Sequence, residues 1–334
     1  MLHFTDNSLL TLWLCGNFTI DTKIFIEHNV EISKLAFGGS VFFGAWAIEN
    51  FFDQVRYKIF SNGYPFSVSP DNISSLFDSQ STVIDVSSYT IKSLTHYILD
   101  YRSDVRQLKL AFFPPGYISL PLKNTFNPHI VLLTPVYHEI NEKLASVIKM
   151  NFPDAFISCD PQGWCRERDS TTNDIHIREW VPSDEFLLAV AIIKMSLEDF
   201  VRASKHNFET FINRILSNDI IFIITIGIKG NLCFFPSLAS SDGNCFQTPV
   251  TQVSQTGDTT GAGDVWLAAF TISYYQTKNI RKALATATVI TGFKIQGTIP
   301  KIDNYSKGVL ESSIEKHERQ ISMLSVQEAI VKIL

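Results

Sequence analysis

Short apolar runs alternate along the chain with longer segments whose apolar residues recur at helical spacing. Leu9-Leu10-Thr11-Leu12-Trp13-Leu14-Cys15, Ile130-Val131-Leu132-Leu133-Thr134, Ala155-Phe156-Ile157-Ser158-Cys159, Ala191-Ile192-Ile193-Lys194-Met195 and Asp219-Ile220-Ile221-Phe222-Ile223-Ile224-Thr225 each read as a buried strand. Helical patterns run through Ala45, Ile48 and Phe52, through Ile140, Leu144, Val147 and Ile148, past Ser196, from Val265 to Ile272, and from Asn279 through Ile290 to Lys294 and Gly297. Continuous apolar strands interleaved with helices predict an α/β fold: a doubly wound, mostly parallel sheet covered on both faces. In that architecture ligands gather at the carboxyl rim of the strands, where Asp160, Ser196 and Thr225 are expected to meet. Ser81-Thr82-Val83-Ile84-Asp85, Thr95–Tyr101 and Val105–Leu110 alternate polar with apolar residues and predict half-exposed antiparallel strands. Residues 305–334 read as a loop followed by a helix through Val326 and Ile330.

The 334 residues suffice for a large core in one α/β domain or two small ones. A net charge of −5 with no basic block argues against nucleic acid or an anionic membrane as the main partner. Five cysteines, an odd number with no Cys-x-x-Cys pair, fit free thiols in a reducing compartment. The apolar N-terminal run is preceded by Asp6 and leads into Gly16-Asn17 without a cleavage site, so it reads as a first strand and not a leader. No apolar run is long enough to span a bilayer, and a soluble, cytoplasmic protein is expected. With 26 phenylalanines and only 4 methionines, the core is expected to be densely aromatic.

The chemistry concentrates in Gly257-Asp258-Thr259-Thr260-Gly261-Ala262-Gly263-Asp264, which leads straight into the apolar helix that follows. Glycines before a helix let backbone N–H groups converge, and the first amides of a helix have no internal partner, so such a turn binds anions. A carboxylate placed there repels a phosphate. Proton abstraction from a hydroxyl that attacks a phosphoryl group gives Asp264 a reason to sit there. A plain glycine turn with Asp264 as an ordinary first-turn residue also fits these eight residues. His138-Glu139 lacks the second histidine of a zinc protease and reads as surface or cap; Cys159 and Cys165 have no ligand set around them. There is neither a Walker P-loop nor a Gly-x-Ser-x-Gly elbow.

Asp258–Asp264 resembles the C-terminal motif of the PfkB/ribokinase family of carbohydrate and nucleoside kinases. That resemblance implies Asp264 as catalytic base and the backbone of Gly261, Ala262 and Gly263 as anion hole. Asp21, followed by Gly38-Gly39 before a helix, is similar to the family's N-terminal pattern, which implies that Asp21 and both glycines face the substrate; a turn or capping role for Asp21 remains open. Asp160-Pro-Gln-Gly-Trp-Cys-Arg166 is similar to a stretch whose arginine approaches the transferred phosphate. Lys194-Met-Ser-Leu-Glu-Asp199 stands where the family has Asn-x-x-Glu, so Ser196 is implied near the nucleotide and Asp199, or Glu198, near Mg²⁺. Ser196 and Asp199 depart from the family's asparagine and glutamate, and both side chains are shorter. Thr225, Gly227 and Gly230 match a Thr-x-Gly-x-x-Gly loop near the nucleotide phosphates, and also read as a hairpin turn.

The resemblance covers about residues 12 to 300 and includes features of the branch holding inositol kinases and archaeal sugar kinases. It implies one kinase domain over 1–334 with a small β-sheet lid from 22–37 and 81–113; a static edge hairpin is the other reading of that segment. Arg106 is expected to reach substrate, or else to lie on a solvated face. The implied activity is transfer of the γ-phosphoryl group of ATP, with Mg²⁺, to a hydroxyl of a sugar or polyol. A nucleoside acceptor and a non-catalytic nucleotide or sugar sensor are the alternatives. An exposed lid edge is open to pairing with a second copy.

Overall fold

A computed structural model describes residues 9–62, the backbone of 82–86, and residues 94–103, 107–120, 122, 127–236, 244–251, 257–297 and 304–333, with side chains from 307 in the last stretch. The first strand, β1 (Leu10–Cys15), is buried at nearly every position and lies inside a ten-stranded sheet, third from one edge. On one side it pairs in parallel with β4 (Val55–Ser61), and β4 with β5 (Thr82–Val86). On the other side run β8 (Ile130–Leu133), β9 (Phe156–Cys159), β12 (Ile192–Ser196) and β13 (Ile221–Thr225), all parallel. Three antiparallel strands, β14 (Asn231–Phe235), β15 (Asn244–Thr248) and β16 (Ser322–Leu324), complete that edge. The chain thus winds both ways from β1, and β1 and β8 are neighbours whose successors go opposite ways, the switch point at which such sheets open a crevice.

Alternation along the strands sorts the core into two layers. Leu12, Leu14, Tyr57, Leu132, Ile192 and Ile223 face the helices Ser40–Phe51, Ala262–Thr277 and Ile280–Gln296. Trp13, Leu133, Ile157, Ile193, Met195 and Phe222 face the helices on the other side, among them Leu144–Asn151, Leu197–Ala203, Phe208–Leu216 and Val326–Ile333. Residues Val265 to Ser273 are all buried, because the helix Ala262–Thr277 is packed between its two neighbours and the sheet. Small residues make this packing dense: Ala268 and Ala269 on one helix meet a neighbour bearing Ala283, Ala285 and Ala287. The aromatic core is present, with Trp13 fully buried and in edge contact with Phe60 at 5.0 Å and Phe152 at 5.2 Å. All five cysteines are free and buried, and no described helix is long and apolar enough to cross a membrane.

A second, four-stranded sheet consists of β2 (Thr19–Glu27), β3 (Val30–Gly38), β6 (Thr95–Asp100) and β7 (Gln107–Phe112) in the order β3-β2-β6-β7. A short hairpin of β10 (Arg166–Arg168) and β11 (Ile175–Ile177) lies beside it, joined by a bridge from Lys109 to Asp174.

Three sequence expectations change here. Of the segment at 81–85, the described residues 82–85 do not belong with the small sheet: they lie in β5, the parallel edge strand of the main sheet. Nor is the small sheet wholly antiparallel, since β2 and β6 run parallel across a long crossover. The C-terminal segment holds a helix at Asn304–Glu318 and the strand β16 as well as the helix expected from Val326.

Candidate active site

The glycine turn is built by steric necessity. Gly261 caps the helix Ala262–Thr277 in the left-handed region with φ 73°, and a Cβ there would fall 2.1 Å from the Phe43 ring. Inside the turn the Ala262 amide donates to the Thr259 carbonyl at 3.1 Å. That engagement takes Ala262 out of the expected set of three open amides and leaves Gly261 and Gly263 as the ones that would meet an anion. A Cβ on Gly263 would lie 2.7 Å from Lys194 Nζ.

Lys194 is the charge that sequence reasoning passed over. Strand alternation turns it to the same side as Ile192, toward the helix Ala262–Thr277, and the register of β12 on β9 sets it beside Asp160. The two side chains, 4% and 6% exposed, form a buried ion pair. Burial alone would lower the Lys194 pKa, but the carboxylates of Asp160 and Asp264 outweigh it and keep the ammonium charged. Asp264, in the first helical turn, has its pKa raised to about 6, chiefly by burial and secondarily by Asp160, while Lys194, Arg166 and Lys294 pull it back. A carboxyl poised there can hold and release a proton near neutral pH.

Arg166 follows the short helix Gln162–Cys165 and is fixed by three acceptors: Val136 O at 3.0 Å, Gln162 Oε1 at 2.8 Å and Tyr97 Oη at 3.3 Å. Its Nε is buried with no hydrogen-bond partner among the described residues. Asp199 is buried beside it, its pKa raised by desolvation against the pull of Arg166. The Ser196 hydroxyl donates to Asp199 Oδ2 at 2.7 Å and caps its helix by accepting the Asp199 amide at 3.1 Å. Glu198 is exposed.

On the small sheet, Asp21 is buried, takes a hydrogen bond from the Thr19 hydroxyl at 3.0 Å, and has its pKa raised by desolvation against Lys23 and Arg166. Its carboxylate covers Gly38, where a Cβ would fall 2.6 Å from Oδ2. Gly39 caps the helix Ser40–Phe51 at φ 99°, with Asn17 O only 2.2 Å from where its Cβ would be. Glu139, far from the surface, is the anchor of this end: its carboxylate accepts the amides of Val136, Tyr137 and Asn17 at 2.7, 2.7 and 3.1 Å, tying the segments that follow β1 and β8. His138 Nε2 lies 2.7 Å from Arg166 O.

Thr225 ends β13 directly opposite Ser196, and its hydroxyl donates to Met195 O at 3.3 Å. Gly227, at φ 54°, opens a 3-10 turn and Gly230, at φ 93°, closes it, so the Thr225–Gly230 segment is the hairpin between β13 and β14. Asp160, Ser196 and Thr225 do share the carboxyl rim. Arg106 lies outside the described residues.

No group of three or more His, Cys, Asp or Glu that could cage a metal occurs among the described residues. A Mg²⁺ carried largely by phosphates and water needs only one or two carboxylates, and buried Asp199 beside Arg166 fits that lesser demand.

No family model and no curated protein matches this sequence. Among solved structures, it is similar to a pyrophosphate-dependent kinase of the ribokinase family complexed with a pyrophosphate analog and myo-inositol (19% identity, TM-score 0.68, covering 89% of this chain and 99% of that one). It is also similar to the nucleoside kinase of Methanocaldococcus jannaschii (18%, 0.64, 93% and 100%). The third is Arabidopsis thaliana ribokinase complexed with ribose and ATP (16%, 0.64, 91% and 98%). At these identities the likeness is one of architecture, and the chain has the ribokinase fold.

Proposed function

We propose that this protein is a phosphotransferase that moves a phosphoryl group from a phosphoanhydride donor to a hydroxyl of a small polyhydroxy acceptor. The observation that carries the reading is the joint placement of Asp264, with a pKa of about 6, in the Gly261–Gly263 turn, with Lys194 against Gly263 and both Lys194 and Arg166 close enough to act on its charge. Asp264 accepts the proton of the acceptor hydroxyl as its oxygen bonds to phosphorus. The bond from phosphorus to the donor's bridging oxygen breaks, and that oxygen leaves with the pair. Amides of Gly261 and Gly263, with Lys194 and Arg166, stabilise charge on the transferring group, where most of the rate advantage arises. Asp199 would hold Mg²⁺, which would supply neutralisation of charge on the donor phosphates. Asp21 accepts hydrogen bonds from acceptor hydroxyls, and Thr225, Gly227, Gly230 and Ser196 line the donor side.

ATP is the first donor to test. Pyrophosphate is the second, because a protein of this fold is solved with a pyrophosphate analog and myo-inositol. The small sheet closes over the acceptor, and its outer face, which exposes Ile26, Leu35 and Phe112, is read as a contact for a second copy. Purified protein incubated with either donor, Mg²⁺ and a panel of inositols, sugars and nucleosides tests the activity. Donor consumption that depends on an acceptor supports it. A nucleoside outcompeting polyols moves the acceptor class, and no transfer from either donor to any acceptor leaves a binding protein on a kinase fold.

A further inference from the structure

The helix Ile280–Gln296 delivers one lysine to the back of the glycine turn. Lys294 Nζ donates to the carbonyl of Asp258 at 2.8 Å and to the carbonyl of Thr260. It also stands 5.1 Å from the centre of the Phe43 ring, the same ring that fills the space over Gly261. Asp258 is itself held: its carboxylate accepts the Thr260 amide at 2.9 Å and the Lys23 ammonium at 3.0 Å.

Two peptide carbonyls aimed at one point repel each other unless a cation lies between them. In a planar trans peptide the C=O and the following N–H point in opposite directions, so fixing the Thr260 oxygen fixes the Gly261 N–H on the far side. We propose that Lys294 is a positioning residue: its ammonium is a built-in cation that holds the carbonyl side of the Asp258–Gly261 loop and thereby aims the amide side at the transferring phosphoryl group. The role in transfer rests on the function proposed above; the hold on the loop does not. An ammonium has three donors, and two are used here on backbone oxygens. Its charge also lowers the pKa of Asp264 and so favours the proton-accepting form of the base.

Lys294→Met keeps the apolar stem and removes the charge. The unliganded protein is compared with this variant by hydrogen exchange of the backbone amides in residues 257–264, and turnover is measured with and without added ammonium ion. The variant should exchange those amides at least about tenfold faster and lose at least about tenfold in kcat, the scale of one lost charge-assisted contact. Ammonium ion should restore part of the loss in the variant and leave the wild type unchanged, and Lys294→Arg should retain more activity than Lys294→Met. Unchanged exchange in Lys294→Met overturns the proposal even if the wild type is an active kinase. Faster exchange in Lys294→Met, together with a wild type that transfers no phosphoryl group, keeps the loop assignment and discards the kinase reading.

Discussion

Asp264 combines two demands that pull against each other. As the proposed base it must be ionised, yet burial raises its pKa to about 6. A proton-accepting role predicts that kcat/KM rises with pH through about 6 and levels off above it. Asp264→Asn should lower turnover by roughly 10² or more while donor binding persists. The sign for stability is the reverse. A carboxyl whose folded pKa is raised contributes stability below its unfolded pKa and loses it as pH rises through the folded value. Asp264→Asn should therefore melt a few degrees above wild type at pH 8, with the gap closing toward pH 4; equal melting at both pH values would show that the carboxyl bears no such burden. Lys194 and Asp160 form the other coupled pair. Lys194→Met strands a buried carboxylate and should destabilise by about 3–5 kcal/mol in denaturant unfolding, and adding Asp160→Asn should recover most of that loss. Asp264 could be singled out as a candidate because the glycine turn beside it is contiguous in sequence. Lys194 was not, because one lysine in an apolar run gives no sign of a partner thirty-four residues back.

At the scale of elements, the glycine turn is the most constrained piece. Gly261→Ala must be accommodated at φ 73° against the Phe43 ring, so it should abolish donor binding measured by calorimetry while the far-ultraviolet circular dichroism stays close to wild type. The ion pair from Lys23 on β2 to Asp258 links the small sheet to this turn, and the neighbouring hydrogen bonds help to hold the Asp258 pKa at about 2 although burial opposes them. Buried parallel strands and their helices could be read from periodicity, since both faces are covered and the strands read as short runs dominated by apolar residues. Alternating strands could not be assigned to a sheet that way. The alternation at 81–85 says that one face is wet but not which strand is its neighbour, and β5 pairs with β4 at the main sheet's edge. The helix Asn304–Glu318 is mostly polar, with its buried residues Leu310, Ile314 and His317 too sparse to announce it.

Across the whole molecule, the doubly wound order brings Asp160, Ser196 and Thr225 to one rim and sets the small sheet, with Asp21, against the same charged cluster. Convergence of that kind follows from topology, so it was foreseeable once the βα rhythm was recognised; the outer face of the small sheet was not. Ile26, Leu35 and Phe112 there are 56%, 74% and 41% exposed, an apolar face of the sort that a second copy covers. Leu35→Glu should halve the mass seen by sedimentation without lowering the melting temperature of the monomer, and a wild type that is already monomeric would rule that contact out. The central claim is that Asp264 and the glycine turn act together on a phosphoryl group. The most direct measurement is phosphoryl transfer from ATP or pyrophosphate to the acceptor panel, wild type against Asp264→Asn, across pH 5 to 9. The account predicts acceptor-dependent transfer with a limb near pH 6, reduced about a hundredfold or more in the variant; transfer that Asp264→Asn leaves intact would contradict it.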